Sequence, residues 1–76
     1  MTEEQKRELE SLFNYYSYHK ALNNKLGYEE DEKKNNARMW ALRHTFKILG
    51  YAFRFEKTET ENNIEYDVWK LVEREK

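Results

Sequence analysis

ARMWALRHTFKILG, residues 37–50, is the longest run in the chain with a clear helical apolar period and a plain stop. At about 100° per residue, Met39, Leu42, Phe46 and Leu49 share one face at the spacing of a buried stripe, and Gly50 ends the helix. Trp40, Arg43, His44 and Lys47 stand at i, i+3, i+4 and i+7 on the far face, so the same helix carries a second stripe, aromatic and basic. Two readings follow. In one, a preceding helix and a following hairpin cover both sides, Trp40 joins the core, and only Arg43 and Lys47 remain as a wet edge. In the other the stripe is a docking face, because tryptophan and arginine are residue types that anchor interfaces.

Toward the N-terminus, Thr2 and Gln5 with Glu3 and Glu4 between them form a capping box whose acids sit at the positive end of the helix dipole. Leu9, Leu12, Phe13 and Tyr16 continue as an apolar stripe that drifts through His19 and Leu22 to Leu26, and Gly27 supplies the stop. One helix is expected over residues 2–26, with Tyr15 and Tyr18 pointing away from its main stripe. The segment YEEDEKKNN, residues 28–36, is too polar for a core face, and Asp31 is the expected N-cap of a second helix over residues 31–49. Joined by so short a connection, the two helices should lie antiparallel.

After Gly50 the apolar period changes to two. Tyr51, Phe53 and Phe55 alternate with polar or small residues, as do Ile64, Tyr66 and Val68, which predicts a β-hairpin with strands over residues 51–58 and 63–72. Its loop is expected at residues 59–62, with Asn62 and Asn63 tolerating the left-handed conformation in the absence of glycine. In that register Phe55 faces Tyr66, Phe53 faces Val68, and Arg54 meets Asp67 on the other side. Residues 73–76 are expected to fray. The expected fold is α+β of order ααββ, one domain over residues 1–76, with both helices on one face of the hairpin.

The expected core is Leu12, Phe13, Tyr16, Leu42, Phe46, Leu49, Phe53, Phe55, Tyr66 and Val68. Alternation then sends Trp69 and Leu71 to the opposite side, where they make an apolar patch beside Ala52. The expected cover is another chain, either a second copy completing a homodimer or a foreign protein partner. The competing arrangement folds the first helix or the tail over Trp69.

Composition narrows the function classes. With no cysteine there are no disulfides, thiolate metal sites or thiol chemistry, which points to a reducing cytoplasm. His19 and His44 lie on different helices without metal-ligand spacing, and both glycines are used as helix stops, leaving none for a phosphate cradle. No catalytic, cofactor-binding or metal-binding residue is assigned. Fourteen basic and fifteen acidic residues give a net charge of −1, against the strongly basic balance of a dedicated nucleic-acid binder. No apolar run approaches the roughly 18 residues of a membrane span, so a soluble protein is expected. A helix followed by a hairpin also admits a degenerate winged-helix reading, a nucleic-acid-binding regulator with residues 37–49 as recognition helix. Glu56, Glu59, Glu61 and Glu65 on its wing would repel phosphates.

At ALRHTFKILGY, residues 41–51, continued by an aromatic strand, the chain resembles small proteins of phages and mobile elements in low-GC Gram-positive bacteria. What that resemblance implies is a non-enzymatic protein-binding module, an inhibitor or adaptor acting on a host machine, CRISPR nucleases among them. The partner-binding candidates read from the residues are Trp40, Arg43, His44, Lys47, Trp69 and Leu71.

Overall fold

A computed structural model describes residues 1–74 of the chain. The order is ααββ, with α1 at Glu3–Leu26, α2 at Glu29–Ile48, β1 at Tyr51–Glu61 and β2 at Ile64–Glu73. Of the fraying expected over residues 73–76, Glu73 instead pairs with Tyr51 and the Arg74 N–H donates to the Gly50 carbonyl at 2.9 Å, while residues 75 and 76 lie outside the described residues.

α1 begins where local chemistry dictates. The Gln5 N–H donates to Thr2 Oγ1 at 3.1 Å and the Thr2 N–H donates to Gln5 Oε1 at 2.8 Å, so the capping box is closed in both directions. At the far end Gly27 takes φ 77°, and the Tyr28 N–H donates back to the Asn23 carbonyl at 2.8 Å. This turn is so tight that the Tyr28 carbonyl already accepts from the Glu32 N–H at 3.0 Å. α2 therefore starts at Glu29 with Tyr28 as a cap that uses no side chain, and Asp31 is not the N-cap. Glu29, Glu30, Asp31 and Glu32 instead fill the first turn, where the helix dipole favours them.

The hairpin turn is tighter than the sequence suggested. Asn62 and Asn63 have φ 52° and 63°, the two left-handed residues of a two-residue hairpin loop, and β1 runs on through Glu61. From the turn, pairing proceeds as Glu61 with Ile64, Glu59 with Tyr66 and Lys57 with Val68 until a bulge leaves Glu56 unpaired. Beyond the bulge Phe55 faces Trp69, Arg54 faces Lys70 and Phe53 faces Leu71. Without the extra residue, Phe55 and Phe53 would stand opposite Lys70 and Val72. The bulge thus exchanges which side of β2 joins the phenylalanines.

This corrects the expected register and its main consequence. Trp69 and Leu71 face the helices, not solvent or a second chain, and Leu71 is only 3% exposed. The core is Phe13, Met39, Phe53 and Leu71, with Leu9, Tyr16, Leu42, Phe46, Tyr51 and Trp69 packed around it. Phe13 is fully buried and stacks on Phe53 with centroids 3.9 Å apart. Phe46 and Trp69 meet these rings edge-on, at 6.2 Å from Phe53 and 6.0 Å from Phe13. Leu12, Leu49 and Phe55 are exposed, contrary to expectation. Leu49 follows the last helical residue, where the chain swings out before Gly50 at φ 90°. Tyr66 packs on Tyr18, with ring centroids 5.2 Å apart, and stays outside the central cluster.

α1 does more than cover a face. Its polar residues Glu10, Asn14 and Ser17, spaced by four and three, hydrogen-bond the backbone of β2 along the edge that β1 does not pair. Asn14 Nδ2 donates to the Trp69 carbonyl at 3.0 Å, and the Trp69 N–H donates to Asn14 Oδ1 at 2.7 Å. The Leu71 N–H donates to Glu10 Oε1 at 3.0 Å, and Ser17 Oγ donates to the Asp67 carbonyl at 2.6 Å. Lys25 Nζ closes the row on the Asn63 carbonyl at 2.7 Å. A strand edge that would template aggregation is thereby satisfied within the chain.

Candidate functional site

α2 touches α1 and the hairpin with Asn35, Met39, Leu42, Arg43 and Phe46. Arg43 was expected on the outer stripe, but its guanidinium lies 5.0 Å over the Trp69 ring and 5.8 Å over Phe13. There it stabilises the aromatic layer by about 0.5–2 kcal/mol. This offsets part of the cost of Trp69 Nε1, which is buried with no hydrogen-bond partner among the described residues. Arg38 makes a similar contact with Tyr16 at 5.7 Å.

The side of α2 turned away from these neighbours is apolar and open. Trp40 is 64% exposed and Ile48 77% exposed, with Leu49 at the helix end 61% exposed. Trp40 stacks on His44, centroids 5.0 Å apart and planes 7° from parallel, which restrains the indole without covering it. Ala37 and Ala41, both exposed, complete the face. Lys47 is exposed near it, its carbonyl accepting from Arg74 Nη1 at 3.5 Å. Of the sequence-derived candidates the structure therefore brings together Trp40, His44 and Lys47. It places Arg43, Trp69 and Leu71 in or against the core.

Ala37, Ala41, Ile48 and Leu49 were not singled out for this face. The signal was present in the sequence, since Ala37, Ala41, His44 and Ile48 recur at i, i+4, i+7 and i+11. It was masked because Met39, Leu42 and Phe46 make a second, bulkier stripe on the same helix. Phe55 is also exposed, edge-on to Trp69 at 5.9 Å, just past the stretch of β1 that the core buries.

Elsewhere the chemistry is sparse. A groove of about 490 Å³ lies between the C-terminal half of α1, α2 and the hairpin tip, lined by Lys20, Lys25, Glu32, Met39, Asp67 and Trp69 among others. His19 packs against Tyr15 and Tyr18, and His44 against Trp40, so the two imidazoles serve separate aromatic clusters. Among the described residues no group of His, Cys, Asp or Glu could hold a metal ion, and no helix is long and apolar enough to cross a membrane. The hairpin tip is acidic. Burial first, and then the carboxylates of Glu59 and Glu61, push the Tyr66 phenol above its ordinary pKa, while Glu59 pairs with Lys57 at 2.7 Å.

Comparison with known proteins finds no matching family model, no matching curated protein and no matching solved structure.

Proposed function

We propose that this chain is a non-enzymatic protein-binding module whose docking surface is the outer face of α2. The observation that carries the reading is the exposure of Trp40 and Ile48 on a face that the fold does not use. Among the described residues five hydrophobic side chains are buried, while Trp40, Ile48, Leu49 and Phe55 are among the large apolar ones left in water. In so small a domain an apolar helix face left open is a sign of interaction rather than of packing. A tryptophan restrained by a stacked neighbour also loses little rotamer freedom on binding, which suits it as an anchor.

The resemblance of residues 41–51 to small phage and mobile-element proteins supplies the rest of the proposal, an inhibitor or adaptor of a host machine such as a CRISPR nuclease. Arg43 lying over Phe13 and Trp69, together with the acidic hairpin tip, favours a protein target over nucleic acid.

The test is affinity capture from a low-GC Gram-positive host extract, with the wild type beside a Trp40→Ser/Ile48→Ser variant. Both positions are exposed, so the variant should melt within about 0.5 kcal/mol of wild type. The expected result is a host protein retained by the wild type, lost from the variant, and less active when the wild type is bound. Equal retention by both chains would move the docking surface away from α2.

A further inference from the structure

The charge along α2 is segregated. Four acids open the helix, and then from Lys33 to Phe55 there is no Asp or Glu, although the chain holds fifteen of them. The same stretch contains Lys33, Lys34, Arg38, Arg43, Lys47 and Arg54. With Arg38 and Arg43 lying over core rings, Lys33, Lys34 and Lys47 are the exposed α2 bases free to frame the open face. At about 100° per residue, Lys33 and Lys47 fall on the Trp40 side of the line Ala37, Ala41, His44, Ile48, and Lys34 falls on the other. The line follows the four-three-four spacing of a helix-packing seam, and its two alanines let a second backbone approach closely.

We propose that this face takes an amphipathic helix of a partner protein, one whose apolar stripe is flanked by Asp and Glu. The inference rests on the reading of α2 as the docking surface and adds the chemistry of what docks. A helix fits because the seam is straight and α2, at 20 residues, offers about 30 Å of length. Acidic flanks fit because three lysines border the seam. A second copy fits poorly. Setting Ala37 against the partner copy's Ala41 in an antiparallel pair brings Lys34 to His44 and sets Lys47 midway between Lys33 and Glu29, so repulsion there cancels attraction, and a parallel pair sets each lysine against itself. Nucleic acid also fits poorly, since Ala37, Ala41 and Ile48 offer bases and phosphates no hydrogen bond, and the first turn of the same helix is acidic.

The experiment titrates a synthetic helical peptide of about 20 residues, with Leu and Ala on the seam and Glu on the flanks, into the isotopically labelled wild-type chain. The control peptide carries Lys in place of Glu. Saturable amide shifts confined to residues 33–48 are expected with the Glu peptide alone. Binding should weaken roughly tenfold in Lys33→Glu/Lys34→Glu/Lys47→Glu and fall as salt rises. Absent shifts, or equal shifts with both peptides, overturn the inference. If the α2-dependent host protein of the capture experiment persists in that case, the docking surface stands and only the partner chemistry fails. Tighter binding of duplex DNA at the same amides, or a concentration-dependent dimer by light scattering that shifts them, overturns it in favour of nucleic acid or a second copy.

Discussion

Phe13→Ala should leave this chain largely unfolded at room temperature. Phe13 is 0% exposed, stacks on Phe53, meets Trp69 edge-on and lies under the Arg43 guanidinium, so it joins α1, α2 and both strands. Truncating a buried phenylalanine costs about 3–5 kcal/mol, because the transfer free energy is lost and a cavity remains. A domain of this length has a total stability of about 4–11 kcal/mol, so the loss takes much or all of it. Urea denaturation followed by far-ultraviolet circular dichroism measures the effect. Tyr15→Ala, an exposed aromatic on the same helix, should stay within about 0.5 kcal/mol of wild type. A Phe13→Ala midpoint close to wild type would place the core elsewhere.

The second large effect belongs to a polar residue. Asn14→Leu keeps a side chain of similar size but removes both hydrogen bonds to the Trp69 backbone, leaving its N–H and carbonyl facing an apolar side chain. Each unsatisfied backbone group costs about 1–3 kcal/mol where water is excluded, and Asn14 is half-buried, so a loss of about 2–4 kcal/mol is expected. The Trp69 amide should also lose protection in hydrogen exchange, and the uncapped edge should make the variant prone to association. Ser11→Leu, on the exposed side of the same helix, is the control for added hydrophobicity. Unchanged stability with an equally protected Trp69 amide would mean that the Asn14 bonds do not hold β2.

These residues also mark where the fold was legible. α1 could be bounded within one residue because Thr2, Gln5 and Gly27 act through their own chemistry. The start of α2 was misplaced because Tyr28 caps with its backbone, and nothing in a tyrosine announces that. The hairpin was legible as a hairpin, but its facing was not. YAFRFEKTETE contains no residue that marks a bulge at Glu56, and one unpaired residue is enough to turn Trp69 and Leu71 from the outer side to the core. The edge cap was missed for another reason. Glu10, Asn14 and Ser17 lie off the apolar stripe of α1, and a polar stripe on a helix carries no sign that it lies beside strand backbone. As for the candidate face, the spacing of Trp40, His44 and Lys47 was legible, but whether Trp40 joined the core was not, and it lies 64% exposed. The core stripe of α2 was legible in Met39, Leu42 and Phe46, whereas the expected hairpin register is overturned by the bulge at Glu56.

The outer face of α2 is open while Trp69 and Leu71 are closed. Solvent paramagnetic relaxation of the wild-type chain reads it directly, with the two indole signals assigned through Trp40→Phe. The Trp40 indole N–H and the Ile48 methyl groups should broaden strongly, while the Trp69 indole N–H and the Leu71 methyl groups are spared. The reverse pattern, with Trp69 and Leu71 broadened and Trp40 spared, would contradict both the register of the hairpin and the docking face built on it.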